Sequence, residues 1–236
     1  MDAVDAEKLL HMLSFSSAQF AYEIIGVSEG IVVQWTCRSD DSERLLSQLR
    51  SYFPNLAIQE VEAHALPLHD KTPIAIADLG LENEFLLPLA TVRKFSPDPL
   101  IGVVAALDNL AYGESGMVQI LFQGAVEPWS NVMPFIASDG DGGSFFEDMP
   151  ELPKLARDKA SKPMYGVVVR VIAQGTSKDR STQILHNIAN SLIATTRSEQ
   201  NNLMALSNGG YPFEKHLESV YERTSHRLGM LLNSHN

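Results

Sequence analysis

Residues 95–124 read FSPDPLIGVVAALDNLAYGESGMVQILFQG. The spacing predicts turn, helix, turn, strand. Asp98 is placed to cap the helix, and Pro99 falls where a first-turn proline is tolerated. Leu100, Val103, Val104, Leu107 and Leu110 then recur at i, i+3, i+4, i+7 and i+10, one helical stripe. Gly113 and Gly116 bracket a turn. Val118, Ile120 and Phe122 alternate with Met117, Gln119, Leu121 and Gln123 at the period of a strand. A helix with a single apolar stripe needs a sheet to lie on, and a strand follows at once. The stretch reads as the second half of a βαβ-like unit.

Outward from it, the chain repeats the theme. A short N-terminal helix carries Leu9, Leu10 and Leu13 on one side. Apolar runs at 20–27 and 31–37 flank Ser28-Glu29-Gly30, a hairpin signal. A helix over 41–52, capped by Ser39 or Asp40, points Leu45, Leu46, Leu49 and Phe53 inward. Strands are expected at 56–62, 74–79 and 85–91. Taking 31–36, a helix, 56–61, 85–90, the central helix and 118–122 gives βαββαβ, the ferredoxin-like order. The expected fold class is therefore α+β, a ferredoxin-like antiparallel sheet with helices on one face, over residues 1–125. Residues 126–163, with Pro128, Pro134, Pro150, Pro153 and Pro163 and the run Asp139-Gly140-Asp141-Gly142-Gly143, read as an irregular excursion. A second, smaller βαβ-type unit over 164–236 opens with MYGVVVRVIAQ at 164–174. It continues with a helix capped by Ser177, a short strand at 203–206 and a last helix at 213–227.

Composition sets the bounds on function. The 236 residues are 44% hydrophobic and 20% charged, with a net charge of -11. Bare nucleic acid is disfavoured over most of such a surface, because phosphate contacts need Lys and Arg. The locally basic Lys154, Arg157, Lys159 and Lys162, with Arg170, Lys178 and Arg180, form the one candidate footprint, and Trp35 and Phe122 are the strand aromatics that would stack bases. Cys37 is the single cysteine, so an internal disulfide and a multi-cysteine zinc site are excluded. No apolar run approaches a membrane span, and the acidic start lacks the basic opening of a signal peptide, so the expected location is cytoplasmic with no membrane contact.

Few signatures of chemistry stand in the sequence. The chain has no G-x-x-x-x-G-K-[ST], G-x-G-x-x-G, H-E-x-x-H or G-x-S-x-G. Asp139 and Asp141 match two positions of a calcium loop, but Gly143, Ser144 and Pro150 stand where the fifth ligand, the glycine and the glutamate belong. His64, His69 and Asp70 share a loop and offer fewer ligands than a structural zinc needs. Glu82 and Glu84 have no acid partner by spacing. His216 and His226, ten apart on the last helix, do not share adjacent turns. No catalytic, cofactor-binding or metal-binding residue is assigned, and no cofactor is expected. The aromatics of the excursion, Trp129, Phe135, Phe145 and Phe146, are the interface candidates.

The run Asp98-Pro99-Leu100-Ile101-Gly102, with Leu107, Gly113-Glu114 and Val118-Gln119-Ile120-Leu121-Phe122, resembles the N-terminal region of bacterial FtsK–HerA superfamily ATPases of the type IV secretion coupling-protein kind. The closing run Arg227–Asn236, RLGMLLNSHN, is similar to the linker that leads into their ATPase core. The resemblance implies a non-catalytic assembly or docking domain of a DNA-translocating ring ATPase. It implies a homo-oligomer, hexameric in the full-length ring, a protein partner, and DNA contact through the full assembly alone. The ATPase core itself would lie beyond residue 236. Many coupling proteins carry N-terminal membrane helices, and this chain departs from them there. The competing reading is a stand-alone ferredoxin-like enzyme that binds a small molecule or metal, with His64, His69 and Asp70 as its first candidates.

Overall fold

The strand Met164–Gln174 (β5) organises the molecule. It is the longest strand among the described residues, rich in valine and buried on both faces along most of its length. Such a run suits the middle of a sheet covered on both sides. The computed structural model describes residues 3–61, 66–69, 72–91, 100–125, 129–141, 143–144 and 149–235. In it β5 pairs antiparallel with Ser115–Gly124 (β4) on one side and Ile74–Leu81 (β3) on the other. Phe20–Val27 (β1) and Gly30–Thr36 (β2) continue the sheet beyond β4, and Leu203–Ala205 (β6) continues it beyond β3. Met230–Asn233 (β7) pairs with residues 164–167 of β5, ahead of its pairing with β3. The order is β2-β1-β4-β5-β3-β6, seven strands with β7, every pair antiparallel.

Four helices share one face. Ala3–Leu13 (α1), Ser39–Tyr52 (α2), Ile101–Asp108 (α3) and Lys178–Thr196 (α6) send Leu9, Leu13, Leu45, Leu49, Val103, Leu107, Ile184 and Ile188 into one core with Ile24, Val118, Val169 and Val171. The central helix, α3, has a reserved seat. Gly26 and Gly116 face each other across β1 and β4. A Cβ at Gly26 would lie 2.7 Å from Leu107 Cβ, and one at Gly116 2.7 Å from Ile188 Cδ1. Side chains there would lift α3 and α6 off the sheet. On the opposite face Phe213–Glu222 (α7) packs Val220 against Ile25, Ile76, Met117 and Ile172. Trp129–Ile136 (α4) and Leu152–Ala160 (α5) form a further core with Leu86, Leu87 and Met164.

The α+β class, with helices on an antiparallel sheet, is what the residues predict. Several elements differ. Residues 56–61 and 85–90 are not strands; β3, which the βαββαβ order passes over, supplies the pairing instead. Helices cover both faces, and β5 from the second expected unit lies between two strands of the first. The excursion holds two helices; in α5, Pro153 sits in the first turn, where its missing N–H costs nothing. α7 ends at Glu222, and residues read as linker supply β7. The exposed side of α3 takes Leu100 and Val104, so its buried stripe is Val103, Leu107 and Leu110. The α2 N-cap position is Arg38 with no side-chain cap, whereas Ser177 caps α6 by accepting from the Arg180 N–H. Asp98 and Pro99 lie outside the described residues.

Candidate functional site

Four apolar strands each carry one strongly polar residue near mid-length: Glu23 in β1, Gln119 in β4, Arg170 in β5 and Asp78 in β3. The register puts them in one row, Glu23 opposite Gln119, Gln119 opposite Arg170, and Arg170 opposite Asp78. Gln34 of the edge strand β2 extends the row beyond Glu23. The side chains join in the same order. Gln119 Nε2 donates to Glu23 Oε1 at 2.7 Å, Arg170 Nη1 donates to Gln119 Oε1 at 3.0 Å, and Arg170 Nε donates to Asp78 Oδ1 at 2.8 Å.

α7 and the turn after it close over this row. Arg223 donates through Nε and Nη2 to Glu23 Oε2, each at 3.2 Å. Gln119 also donates to the Val220 carbonyl, and Arg170 to the Thr224 carbonyl. His216 Nε2 and Arg227 Nε lie 3.1 and 3.2 Å from Asp78 Oδ2. Neither of these last two contacts has hydrogen-bond alignment, since Oδ2 and the His216 nitrogen make no directed bond among the described residues. Burial alone would raise the Asp78 carboxyl; His216 and the Arg170 guanidinium outweigh it and hold the group below the ordinary carboxylate range. Arg223 adopts the left-handed conformation, φ 55°, where a residue with a Cβ is uncommon. Its pairing with Glu23 offsets that cost.

Glu23, Gln119, Arg170, Asp78, His216 and Arg223 are all under a tenth exposed. Charges this deep are tolerated when each is paired and hydrogen-bonded. The row offers no surface to a substrate, so its chemistry is fastening: it ties α7 and the turn at Arg223 to four strands.

The open features lie elsewhere. A hollow of about 880 Å³ has Leu81, Leu87 and Met230 in its wall and Glu82, Glu84, Glu151 and Glu199 about it. The turn that borders it is held from behind. Asn201 Nδ2 donates to the Glu84 and Leu87 carbonyls, and Lys159 Nζ to those of Phe85 and Leu87. Lys159 is buried, and that burial pushes its ammonium down to about 8. A second hollow, about 580 Å³, lies at the start of α7 beside Tyr211, Lys215, His226 and Arg227.

The interface candidates separate. Phe135 projects from α4 at 80% exposure, with Val132 and Ile136 on the same side. Trp129 is the first residue of α4. Phe145 and Phe146 lie outside the described residues, as do His64 and Asp70. His69 engages Gln174 through its backbone N–H and carbonyl. Asp139 spends its carboxylate on the backbone N–H groups of Asp141 and Gly143, closing its own turn. The basic footprint disperses: Lys159 and Arg170 are buried, Lys162 pairs with Glu7, and Arg180 with Glu114. Trp35, half-buried, packs edge-on to Tyr22 and Phe122 against the core. Helical spacing alone kept His216 and His226 apart, yet both reach the Tyr211 ring, at 4.3 and 6.2 Å, because the chain turns at Arg223.

No helix among the described residues is long and apolar enough to cross a membrane, and no three metal-ligating side chains converge there. Residues 4–135, more than half of the chain, match the model of a family described as a domain of unknown function (DUF8128). No curated protein and no solved structure matches the chain.

Proposed function

We propose that this chain, which belongs to the DUF8128 family, is a non-catalytic assembly module that packs against a second copy of itself through the outward side of α4. One observation carries the reading. Val132, Phe135 and Ile136, at i, i+3 and i+4, are exposed, while Met133 and Ala137 on the other side are fully buried. The helix Trp129–Ile136 contains no charged residue. Two copies of a chain with net charge -11 repel over most of their surface. A contact between uncharged apolar patches escapes that repulsion and removes aromatic area from water.

The edge strand β2 supports the same reading. Its sequence, GIVVQWT, has no charge and no proline, the usual guards of a sheet edge. Val32 and Val33 are exposed on its opposite faces. Two unlike patches on one subunit are what a head-to-tail contact uses, and such contacts form a ring where the rotation between subunits closes. In a protein of the FtsK–HerA kind this module would order the subunits of a DNA-translocating ring or receive a protein partner. Nucleotide and DNA would be handled by the rest of that assembly, in the cytoplasm.

Light scattering on the full chain and on Phe135→Asp tests the proposal. The wild type should run as an oligomer and the variant as a smaller species with unchanged circular dichroism. A monomeric wild type, or a variant of unaltered mass, removes the idea. Deleting 126–163 is a poorer test, because Met133, Ala137, Leu152 and Ala156 belong to the core around Leu86 and Met164.

A further inference from the structure

We propose that the hollow at the start of α7 binds a small phosphate-bearing ligand. The site is independent of the docking reading and is served by different residues. Three basic side chains line it, Lys215, His226 and Arg227, and no acidic one does. The chain as a whole carries 29 acidic residues against 18 Lys and Arg, so this wall is segregated from the average surface. Glu214 and Glu218 stand on the same helix outside the lining.

The wall is built rather than loose. The Tyr211 ring lies 4.3 Å from the His216 ring at 32°, with the Arg227 guanidinium 4.9 Å from its centroid and His226 edge-on. His216 is itself buried against Asp78. Arg227 donates through Nη2 to the Ser207 carbonyl and to Asn208 Oδ1, at 2.8 and 3.1 Å, and its Nε lies 3.2 Å from the buried Asp78 Oδ2, which together fix its plane beside the opening. The Lys215 and His226 side chains have no hydrogen-bond or ion-pair partner among the described residues; the Lys215 carbonyl accepts from the Ser219 hydroxyl. A Cβ at Gly210, φ 77°, would meet no atom within 4 Å, so the backbone there is open to approach.

Two unengaged bases beside an anchored guanidinium suit an anion that carries two or three charges on clustered oxygens. A phosphate ester or a short polyphosphate has that form. The volume, about 580 Å³, admits a ligand of mononucleotide size.

Calorimetric titration of the full chain with pyrophosphate and with orthophosphate, at low ionic strength, tests the assignment. Pyrophosphate should bind at one site and more tightly than orthophosphate. Lys215→Gln and His226→Gln should each weaken it about tenfold, with unchanged melting, since both side chains are exposed. Lys178→Gln, on an exposed lysine of α6, should leave binding as it was. Absence of binding at millimolar pyrophosphate overturns the proposal. So does binding that Lys215→Gln and His226→Gln leave intact, or uptake of a single-stranded oligodeoxynucleotide without uptake of pyrophosphate. None of these outcomes depends on oligomer mass, so this proposal and the assembly reading fail separately.

Discussion

Arg170 and Asp78 stand directly opposite each other on β5 and β3, 2.8 Å apart, and both side chains are almost completely withdrawn from water. Removing one partner of such a pair strands the other charge in the interior. Arg170→Leu should therefore cost about 3–5 kcal/mol, read from urea titration at neutral pH. The double variant Arg170→Leu/Asp78→Leu should be markedly less unstable than the sum of the two single changes, because no lone carboxylate remains. Additive effects would show that the pair contributes nothing as a pair.

The same carboxylate gives the fold an acid limb. Asp78 is held below its ordinary value by His216 and Arg170 against the opposing pull of burial, and Glu114 is lowered chiefly by Arg180. A carboxyl with a depressed folded-state value stabilises the protein above its unfolded value, about 3.9 for Asp. That contribution is lost as pH falls through the folded value. Stability should drop below about pH 4, and the slope should be shallower in Asp78→Asn than in the parent. An identical acid slope in the two proteins would place the proton uptake elsewhere.

Lys159 works in the opposite sense. Burial lowers its ammonium from 10.5 to about 8, so the folded state releases its proton before the unfolded state does. The burial cost is complete below about pH 8, shrinks as pH rises from there, and is gone above the unfolded value. It amounts to about 3 kcal/mol, part of which is offset by the Phe85 and Leu87 carbonyls that accept from Nζ. Lys159→Met should be neutral to stabilising at pH 7, and the parent should gain stability between pH 8 and 10 while the variant does not. Thermal melts across that range distinguish the two.

Much of this arrangement was legible in the residues. The hairpin at Ser28-Glu29-Gly30, the stripe of α6, its Ser177 cap and the valine run of β5 all declare themselves by period and capping chemistry. Pairing is not legible in this way: the run at β3 is plain in the sequence, but its place in the sheet is settled by partners distant in sequence. The buried row does carry a signal in the sequence. Glu23, Gln119, Arg170 and Asp78 each interrupt an otherwise apolar strand, and such an interruption in a two-sided buried strand requires a partner across the sheet. The hollow at α7 left none, since it depends on a left-handed turn at Arg223 that brings His226 back to Tyr211.

The family match and the sheet disagree about where the folding unit ends, and that disagreement can be tested. The matched region, 4–135, stops before β5. Without β5, β3 loses both of its neighbours, because its other partner is β6, and β4 keeps β1 alone. Val169 and Val171, which seat α6 and the core around Leu107, are lost as well. A fragment ending at residue 135 should therefore lack a cooperative urea transition and bind a hydrophobic dye, with α3 and β4 stripped of most of their cover. Adding the separately made piece 136–236 should restore the transition, since β5 to β7 supply the missing partners. A cooperative transition in the short fragment alone would mean that β1, β2 and β4 with their helices suffice, and that β5 joins a sheet already formed.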